Sequence, residues 1–430
     1  MYAQVIPYRE RLPDLRRVLR EQGSLGLLLI DVSELAQVEH DYGSKAFEKV
    51  LSMATEFVLE LQGHEVRATD ILALNDKGGD AFLVFLSPKR GDRESRTRVA
   101  DLALAAKRVQ EHLNRRLARI HSPYIRGRRR VTVGFSIVFF NPLVMEERLV
   151  ARLVEEGWES VRIQRMQSDF HNRSMVQELL LGNQIRTVFQ PMMDLRTNLV
   201  LGWEALSRGP SGTDNQAPLN MFEAAERADL VFELDRHCRQ TALASARNLP
   251  PDAKLFLNMF PASMWDPDLQ GTGLIETLGR LGLGPGRIVL EISEKYAIEN
   301  YTLFVDAMKT FTDMGFEVAV DDVGAGHSGL EKIAHLNPRY LKLDMGLVKD
   351  IDTSFMRRET ARIVKAFAAK ADAAVIAEGI EREGELEVVK EMGIEYGQGY
   401  LLGRPADSFQ APSLARVGGN ETKVEGSPQP

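Results

Sequence analysis

The stretch FEVAVDDVG at residues 316–324, followed by RYLKLD at 339–344, is the part of the sequence that decides the fold. In each stretch a short apolar run leads directly into charged residues. Acidic side chains are rarely buried unless they are paired or bind a cation, so a carboxylate attached to a buried strand needs a partner. The pattern therefore predicts strands that end in a chemical site.

The same pattern recurs between residues 185 and 405. Four more apolar segments carry polar residues, namely LGWEALSR, KLFLNMF, RIVLEISE and AAVIAEGIE. Amphipathic stretches separate them, which predicts βα units and a mostly parallel sheet. Because the carboxyl ends of barrel strands converge on one face, we expect one site to collect their polar residues. These residues are Glu204, Asn258, Glu291, Asp321, Asp322, Lys342, Asp344, Glu378 and Glu381.

The candidate ligands are oxygen donors, a choice that suits Mg²⁺ or Mn²⁺ rather than Zn²⁺. Asp321 and Asp322 are consecutive at a strand end, so we expect both to face one pocket and serve two ions. Two-metal sites suit phosphodiester cleavage because they stabilise the attacking and the leaving oxygen together. Lys342 would position a water or neutralise phosphoryl charge, and Glu378 would take a proton from that water.

An ion pair or a strand-end cap explains any one of these motifs taken alone. Six motifs in series, with Arg208 and a closing QGY among them, favour a common site.

Composition narrows the class of protein. A chain of 430 residues exceeds a single hydrophobic core, which predicts two domains. The net charge of −7 argues against nucleic acid as a partner. The longest apolar run, LGLLLID at 25–31, is shorter than the roughly 18 residues of a membrane span, and the charged start is unlike a signal peptide. We therefore expect a cytoplasmic protein without a membrane partner. The lone Cys238 lies in a helical segment, and we expect its side chain to be packed as a small apolar group.

The segments resemble the EAL domain, named after the triplet that is here Glu204, Ala205 and Leu206. The resemblance runs from FQPMMDL at 189 to QGYLLGRP at 398, with VLEISE, VDDVGAG, YLKLD and AEGIE in the family's order. It implies a TIM-like (β/α)8 barrel that hydrolyses cyclic di-GMP to the linear dinucleotide pGpG with Mg²⁺ or Mn²⁺. It also implies a homodimer.

The resemblance assigns a role to each matching position. The metal ligands are Glu204, Asn258, Glu291, Asp321 and Asp322, and Glu381 supports the metal shell through water. Lys342 and Asp344 lie near the metal-bound water, and Glu378 is the general base. The substrate-binding positions are Gln190, Leu206, Arg208 and Gln398, of which Arg208 holds a phosphate. Glu294 anchors the loop after Asp322.

That loop departs from the family pattern. The usual DDFGTG is DDVGAG here, with Val323 in place of phenylalanine and Ala325 in place of threonine. The ligands are retained while the packing of the loop changes. Turnover and its regulation are therefore affected more than binding.

The first half resembles the GGDEF domain, which makes cyclic di-GMP from GTP. The signature is GGDAF at 78–82, where Ala81 replaces a carboxylate, although Asp31 and Asp80 persist. Glu39 and His40 stand where the family has guanine-contacting residues. These losses predict an inactive cyclase domain with a regulatory role, open to a nucleotide or protein effector.

RATD at 67–70 resembles that family's inhibitory RxxD site, with an ordinary surface turn as the alternative.

The expected domains follow from these resemblances. They are an N-terminal helix at 1–20, a degenerate GGDEF-like α/β domain at 21–165, a helical connector at 166–184, an EAL barrel at 185–415 and a disordered tail at 416–430. The leading hypothesis is a cyclic di-GMP phosphodiesterase regulated by its first domain. The alternatives are a catalytically weak cyclic di-GMP receptor, suggested by Val323 and Ala325, and a scaffold that acts through protein contacts alone.

Overall fold

A computed structural model of the chain describes residues 5–36, 38–39, 43–75, 81–86, 99–118, 131–269, 272–294, 301–324, 333 and 336–410. Its contacts divide the chain into two compact units, Met1–Asn172 and Arg173–Pro430. The boundary falls within one long helix, Glu146–Leu181. The segment expected to be a helical connector, 166–184, is thus helical as far as Leu181. The predicted tail at 416–430 lies outside the described residues.

The first unit contains a four-stranded antiparallel sheet in the order β2-β3-β1-β4. Its strands are β1 (Ser24–Asp31), β2 (Ile71–Leu74), β3 (Ala81–Leu86) and β4 (Thr132–Phe139). The helices that begin in this unit are α1 (Leu12–Gln22), α2 (Ser44–Glu60), α3 (Val99–Ala118) and α4 (Glu146–Leu181). β1 coincides with the apolar run LGLLLID at 25–31. β2 was not predicted, because its four residues are too few to show a period.

Both faces of β1 are buried, which explains its unbroken apolar run. Leu25, Leu27 and Leu29 pack against α1 and the first part of α4. Leu28 and Ile30 face the other way and pack against α2 and α3. Helices thus cover both sides of the sheet. The expected smaller α/β domain with a central sheet is confirmed.

The second unit is a closed eight-stranded barrel in the order β10-β11-β12-β5-β6-β7-β8-β9. The strands are β5 (Arg186–Asp194), β6 (Val200–Arg208), β7 (Lys254–Asn258), β8 (Ile288–Ser293), β9 (Glu317–Val323), β10 (Tyr340–Leu343), β11 (Ala374–Ala377) and β12 (Tyr396–Gly397). The helices are α5 (Pro218–Ala228), α6 (Val231–Ser245), α7 (Thr272–Arg280), α8 (Tyr301–Asp313), α9 (Met345–Val348), α10 (Phe355–Lys370) and α11 (Glu383–Glu391). The expected TIM-like barrel is confirmed.

One strand departs from the parallel arrangement. β5 is antiparallel to both of its neighbours, β6 and β12, whereas the other adjacent pairs are parallel. Only residues 195–199 separate β5 from β6, and a parallel crossover needs about a dozen residues or more. The side chain of Asp194 closes this turn by accepting hydrogen bonds from the N–H groups of Arg196 and Thr197 at 2.8 and 2.9 Å.

Among the described helices, none combines the length and the apolar character that a membrane crossing requires.

Candidate active site

The side chains inside the barrel form an apolar layer with a polar layer next to it. The apolar layer consists of Met192, Phe256, Val289, Ala319, Tyr340 and Ile376, which are all buried. Because side chains alternate along a strand, the residue two positions further on faces the interior again. That step leads to Asn258, Glu291, Asp321, Lys342 and Glu378. On the antiparallel β5 the direction reverses, so that Gln190 precedes Met192.

This alternation also corrects the prediction that the carboxylates follow the ends of their strands. Glu204 lies in the middle of β6, opposite Gln190 of β5. Glu291 likewise lies inside β8, beside Asn258 of β7. Both are therefore interior residues of the barrel. The side-chain period positions them, while the expected convergence on one face still holds.

Lys342 is at the centre of the polar layer. Its side chain is 1% exposed, and its Nζ lies 2.7 Å from Glu378 Oε1 and 2.8 Å from Glu291 Oε1. Asp321 Oδ1 follows at 3.4 Å and Glu204 Oε2 at 3.7 Å. One buried ammonium therefore faces four carboxylates contributed by four different strands or strand ends.

Glu204 has its own hydrogen-bond donors. Oε1 accepts a bond from Asn258 Nδ2 at 3.0 Å, and Oε2 accepts one from Gln398 Nε2 at 2.7 Å. Gln398 Nε2 also donates to Gln190 Oε1 at 3.2 Å. Gln190 in turn donates to the carbonyl of Gly403 at 3.1 Å. This chain of amides fixes one wall of the site.

Asp321 and Asp322 turn to the same side of the barrel, as their sequence predicted. Asp322 has a φ of 59°, in the left-handed region, which interrupts the alternation of the strand. Its N–H donates to Asp321 Oδ1 at 2.9 Å. One oxygen each from Asp321, Asp322 and Glu378 lie within 4.8 Å of one another. These three carboxylates are close enough to share cations.

Burial raises the pKa of Glu291 well above that of an ordinary glutamate, and the charge of Glu204 raises it further. Burial and the charge of Asp321 raise the pKa of Glu378 in the same way. The pKa of Asp321 is also raised, mainly by burial. A buried cluster of this kind binds protons or cations.

Two members of the cluster remain charged. Burial alone would raise the pKa of Glu204, but Lys342 and the amides of Gln398 and Asn258 stabilise its anion and lower that pKa. Burial alone would lower the pKa of Lys342, but Asp321 and the other carboxylates raise it well above its usual value. The site therefore contains one permanent cation.

A divalent cation fits this donor set. Oε2 of Glu291 is buried and accepts no hydrogen bond from the described residues. Buried polar atoms normally have partners, so an unused carboxylate oxygen facing other carboxylates suits a cation. The donors are oxygens throughout, which matches a hard ion. Glu204, Asn258, Glu291, Asp321 and Asp322 would hold it.

A cavity of about 380 Å³ opens beside the cluster. Leu206 lines it together with the candidate metal ligands Glu204, Asn258, Glu291, Asp321 and Asp322. Its other wall comes from α5 and α6, with Phe222, Asp235, Cys238 and Arg239.

The sequence interpretation missed most of this second wall. Asp235 and Arg239 are both buried and form an ion pair, and Arg239 Nη2 also bonds Asp266 Oδ2 at 2.9 Å. Burial lowers the pKa of Arg239 to about 10. An Asp and an Arg four residues apart on a helix are usually a solvated pair, so the sequence did not distinguish them. Cys238 is buried, as expected, and burial raises the pKa of its thiol to about 11.

Four predicted residues lie around the cluster rather than in it. The Asp344 carboxylate caps α9, accepting from the Gly346 N–H at 2.9 Å. Glu381 is exposed at the start of the next loop. Arg208 donates to the carbonyl of Ser207 at 2.8 Å, and burial lowers the pKa of its guanidinium. Glu294 is buried and its Oε2 accepts the Gly324 N–H at 3.1 Å, so it does contact the loop after Asp322.

In the first unit Asp31 is fully buried and forms an ion pair with Arg165 of α4. Its Oδ1 accepts the Ser33 N–H at 2.9 Å. Ala81 lies opposite Asp31 in the sheet and is buried among apolar side chains. Glu39 accepts a bond from Ser44 Oγ at 2.7 Å. His40, Asp80 and the rest of the GGDAF signature before Ala81 lie outside the described residues.

The RATD segment closes on itself. Asp70 is 5% exposed, and its Oδ2 accepts the N–H of Arg67 at 2.8 Å. Its carbonyl accepts a bond from Gln62 Nε2 at 3.0 Å. This geometry is that of a local turn.

Comparison with protein families matches residues 173–405 to the EAL domain. The uncharacterized protein y4lL of Sinorhizobium fredii is 25% identical over 408 residues, which cover 91% of this chain and 47% of that protein. The probable cyclic di-GMP phosphodiesterase PdeA of Escherichia coli is 29% identical over 149 residues, or 35% of this chain and 20% of that protein. This chain spans between 29% and 58% of the length of the first four curated relatives.

Among solved structures, the Xanthomonas citri FimX EAL domain in complex with c-diGMP superimposes with a TM-score of 0.51 at 22% identity. The match covers 58% of this chain and 99% of that chain. At this level of identity the likeness shows the fold of the barrel.

Proposed function

The chain belongs to the EAL domain family, and on that premise we propose that it hydrolyses cyclic di-GMP to the linear dinucleotide pGpG with Mg²⁺ or Mn²⁺. The observation that carries the proposal is the buried Lys342 within 3.7 Å of four carboxylates, beside a cavity. A purely structural ion pair would not need four carboxylates for one lysine, because every extra buried charge costs desolvation energy.

The cations are part of the proposal. Glu204, Asn258, Glu291, Asp321 and Asp322 are the oxygen donors that would hold two of them, with Glu381 next to the shell. When bound, the two cations would orient the phosphodiester and stabilise both the attacking and the leaving oxygen. Binding them would also displace the protons that the raised pKa values of Glu291, Asp321 and Glu378 favour.

Glu378 is the proposed general base. A raised pKa suits this task, since a base works best when its pKa approaches the operating pH. It accepts a proton from water as the water oxygen bonds to phosphorus. The bond from phosphorus to the 3′ oxygen then breaks, the leaving oxygen takes up a proton from solvent water, and Glu378 releases the proton it accepted to solvent. Lys342, 2.7 Å from Glu378 Oε1, orients the base and balances the charge that develops on the phosphate.

The substrate is proposed to lie in the cavity beside the cluster. Leu206 and Glu204 line this cavity, and Gln398 donates to both Glu204 and Gln190 behind its wall. Asp344 follows Lys342 by two residues and is proposed to lie near the water that attacks the phosphate. Arg208 is half-buried at the end of β6, where its guanidinium would meet a phosphate.

The first unit is proposed to be regulatory. In the pair between Asp31 and Arg165, the guanidinium supplies the positive charge that a cation would supply in a working cyclase domain. Ala81 presents a buried methyl group to the same end of the sheet. Both features support a domain that no longer makes cyclic di-GMP, and we propose that a nucleotide or a protein acts on it instead.

A homodimer is also part of the proposal. Phe355 and Met356 at the start of α10 are 72% and 71% exposed, and Ile363 on the same helix is 60% exposed. Exposed apolar side chains grouped on one helix suit a protein interface. Light scattering of the purified chain would report a mass near twice 48.2 kDa.

The second candidate is a cyclic di-GMP receptor with little turnover. It is favoured by Val323, which is fully buried where the family has an aromatic residue. Incubation of cyclic di-GMP with the purified chain and Mn²⁺, followed by chromatography, separates the two functions. Appearance of pGpG supports the phosphodiesterase, while tight binding without product supports the receptor.

A further inference from the structure

The carboxylate of Glu385, on α11, ties two loops of the barrel together. It is 1% exposed. Its Oε2 accepts the N–H groups of Glu381 at 3.0 Å and Arg382 at 3.1 Å. Its Oε1 accepts the N–H of Asp350 at 2.9 Å. One buried carboxylate thus satisfies three backbone donors, two from the loop after β11 and one from the loop between α9 and α10.

Arg382 links the same two loops through ion pairs. Its guanidinium contacts Asp352 at 2.8 and 3.0 Å and Asp350 at 3.0 Å. It also contacts Glu385 Oε1, at 3.0 Å from Nη2 and 3.2 Å from Nε. Because the Arg382 side chain is 46% exposed, these pairs are screened by water and contribute less than the buried bonds of Glu385. Glu385 is therefore the central residue of this cluster.

Two glycines allow close approach on this side of the barrel. A Cβ on Gly384 would lie 2.9 Å from Asp352 Oδ2. Gly379 has a φ of 72°, and a Cβ there would lie 2.7 Å from Met345 Cβ. A side chain at either position would require its neighbour, Asp352 or Met345, to shift.

The segment between these contacts, 378–381, carries the proposed base and a member of the metal shell. Its first residue is fixed from inside the barrel, because the Glu378 N–H donates to the Leu343 carbonyl at 3.2 Å and its carboxylate meets Lys342. The Ile380 N–H donates to the Gln398 carbonyl at 3.0 Å. The last residue, Glu381, is fixed from outside, where Glu385 accepts its N–H.

We propose that Glu385 is a positioning residue for the hydrolytic site. By accepting the N–H groups of Glu381, Arg382 and Asp350, it fixes the backbone from which the side chain of Glu381, the proposed member of the metal shell, extends. Its effect passes through Glu381 and the bound cations, and it touches neither substrate nor the reacting atoms. This inference rests on the proposed function.

The test is Glu385→Gln, which keeps the size of the side chain. The amide of glutamine has only one acceptor oxygen, so it can accept N–H groups from one of the two loops. Its NH₂ group then faces the N–H groups of the other loop, and that loop loses its hydrogen bonds. The matched control is Glu387→Gln, which removes an exposed carboxylate from the same helix. We expect the kcat for cyclic di-GMP to fall about 10- to 100-fold, the range for losing a residue that orients a metal ligand. We expect the Mn²⁺ concentration for half-maximal rate to rise by a similar factor while KM changes little.

Three further measurements keep the inference falsifiable. The melting temperature with chelator reports whether Glu385→Gln folds. If this variant does not fold, Arg382→Gln is used instead, and we expect a smaller rise in its Mn²⁺ requirement. If the unmodified chain forms no product, the proposed function fails, and Mn²⁺ affinity by titration calorimetry then decides the role of Glu385. About tenfold weaker Mn²⁺ binding in Glu385→Gln supports positioning. A folded variant with an unchanged Mn²⁺ requirement or affinity overturns it, as does a loss that the Glu387→Gln control shares.

Discussion

Replacing Lys342 by methionine tests whether this lysine is the charge that holds the apo site together. Lys342→Met keeps the length of the side chain and removes the ammonium that Glu204, Glu291, Asp321 and Glu378 share. Removing one partner of a buried ion pair destabilises a protein by about 3 to 5 kcal/mol. Because 1 kcal/mol moves the melting temperature of such a domain by about 2 to 4 °C, the barrel should melt roughly 6 to 20 °C lower.

The loss should depend on pH in a defined direction. The pKa values of Glu291, Asp321 and Glu378 are raised in the folded chain. A raised folded pKa contributes stability that is complete below the unfolded pKa and is lost as pH rises through the folded pKa. Without Lys342 these pKa values rise further. The difference between variant and wild type should therefore be largest near neutral pH and narrow as pH falls towards about 4, the usual pKa of a glutamate.

Thermal unfolding followed by circular dichroism, with chelator present, measures both effects. The control is Lys370→Met, which removes an exposed lysine from the end of α10 and should leave the melting temperature nearly unchanged. Adding Mn²⁺ should recover part of the loss, since a ligand of the folded state stabilises it. A Lys342→Met variant as stable as wild type near pH 7 in chelator would refute this account of the site.

Glu378→Gln should lower kcat about 10²- to 10⁴-fold, because it removes the proposed general base; an unchanged kcat would assign that role to another residue. Arg165→Ala should destabilise the first unit by roughly 1 to 3 kcal/mol in urea titration, since it leaves the buried Asp31 carboxylate without its partner, whereas Arg162→Ala should not. Cys238 should react slowly with a thiol reagent near neutral pH and faster as pH approaches its pKa of about 11; rapid modification of the folded chain near pH 7 would contradict its burial.

Much of the barrel and its site could be predicted because most of the strands combine an apolar run with a polar residue of the site. A run such as VLEIS places an apolar residue and a carboxylate two positions apart, and only a strand directs both inward. Lys342 and Glu378 were predicted from their position at the end of an apolar run, and the two-residue period explains why both face the interior. The antiparallel β5 was not, because its direction is set by the length of the turn after Asp194.

Polar contacts between segments that are distant in the chain could not be predicted from the sequence. Asp235 and Arg239 have the i, i+4 spacing of an ordinary surface pair on a helix, and only the fold buries them against Asp266. Glu385 stands two residues from Glu383 and Glu387, and only the loop at Asp350 distinguishes it as the buried one. A local pattern shows which face of a helix is apolar but not which polar group will meet a backbone donor from elsewhere in the chain.

The most direct test of the central claim is the rate of pGpG formation from cyclic di-GMP by the purified full chain as the Mn²⁺ concentration is varied. We predict a rate that rises to saturation with Mn²⁺ and disappears with chelator. Glu204→Ala should abolish the rate, since Glu204 is a proposed metal ligand that contacts both Asn258 and Lys342. Product formation that persists in chelator or in Glu204→Ala, or tight binding without product at saturating Mn²⁺, would contradict it.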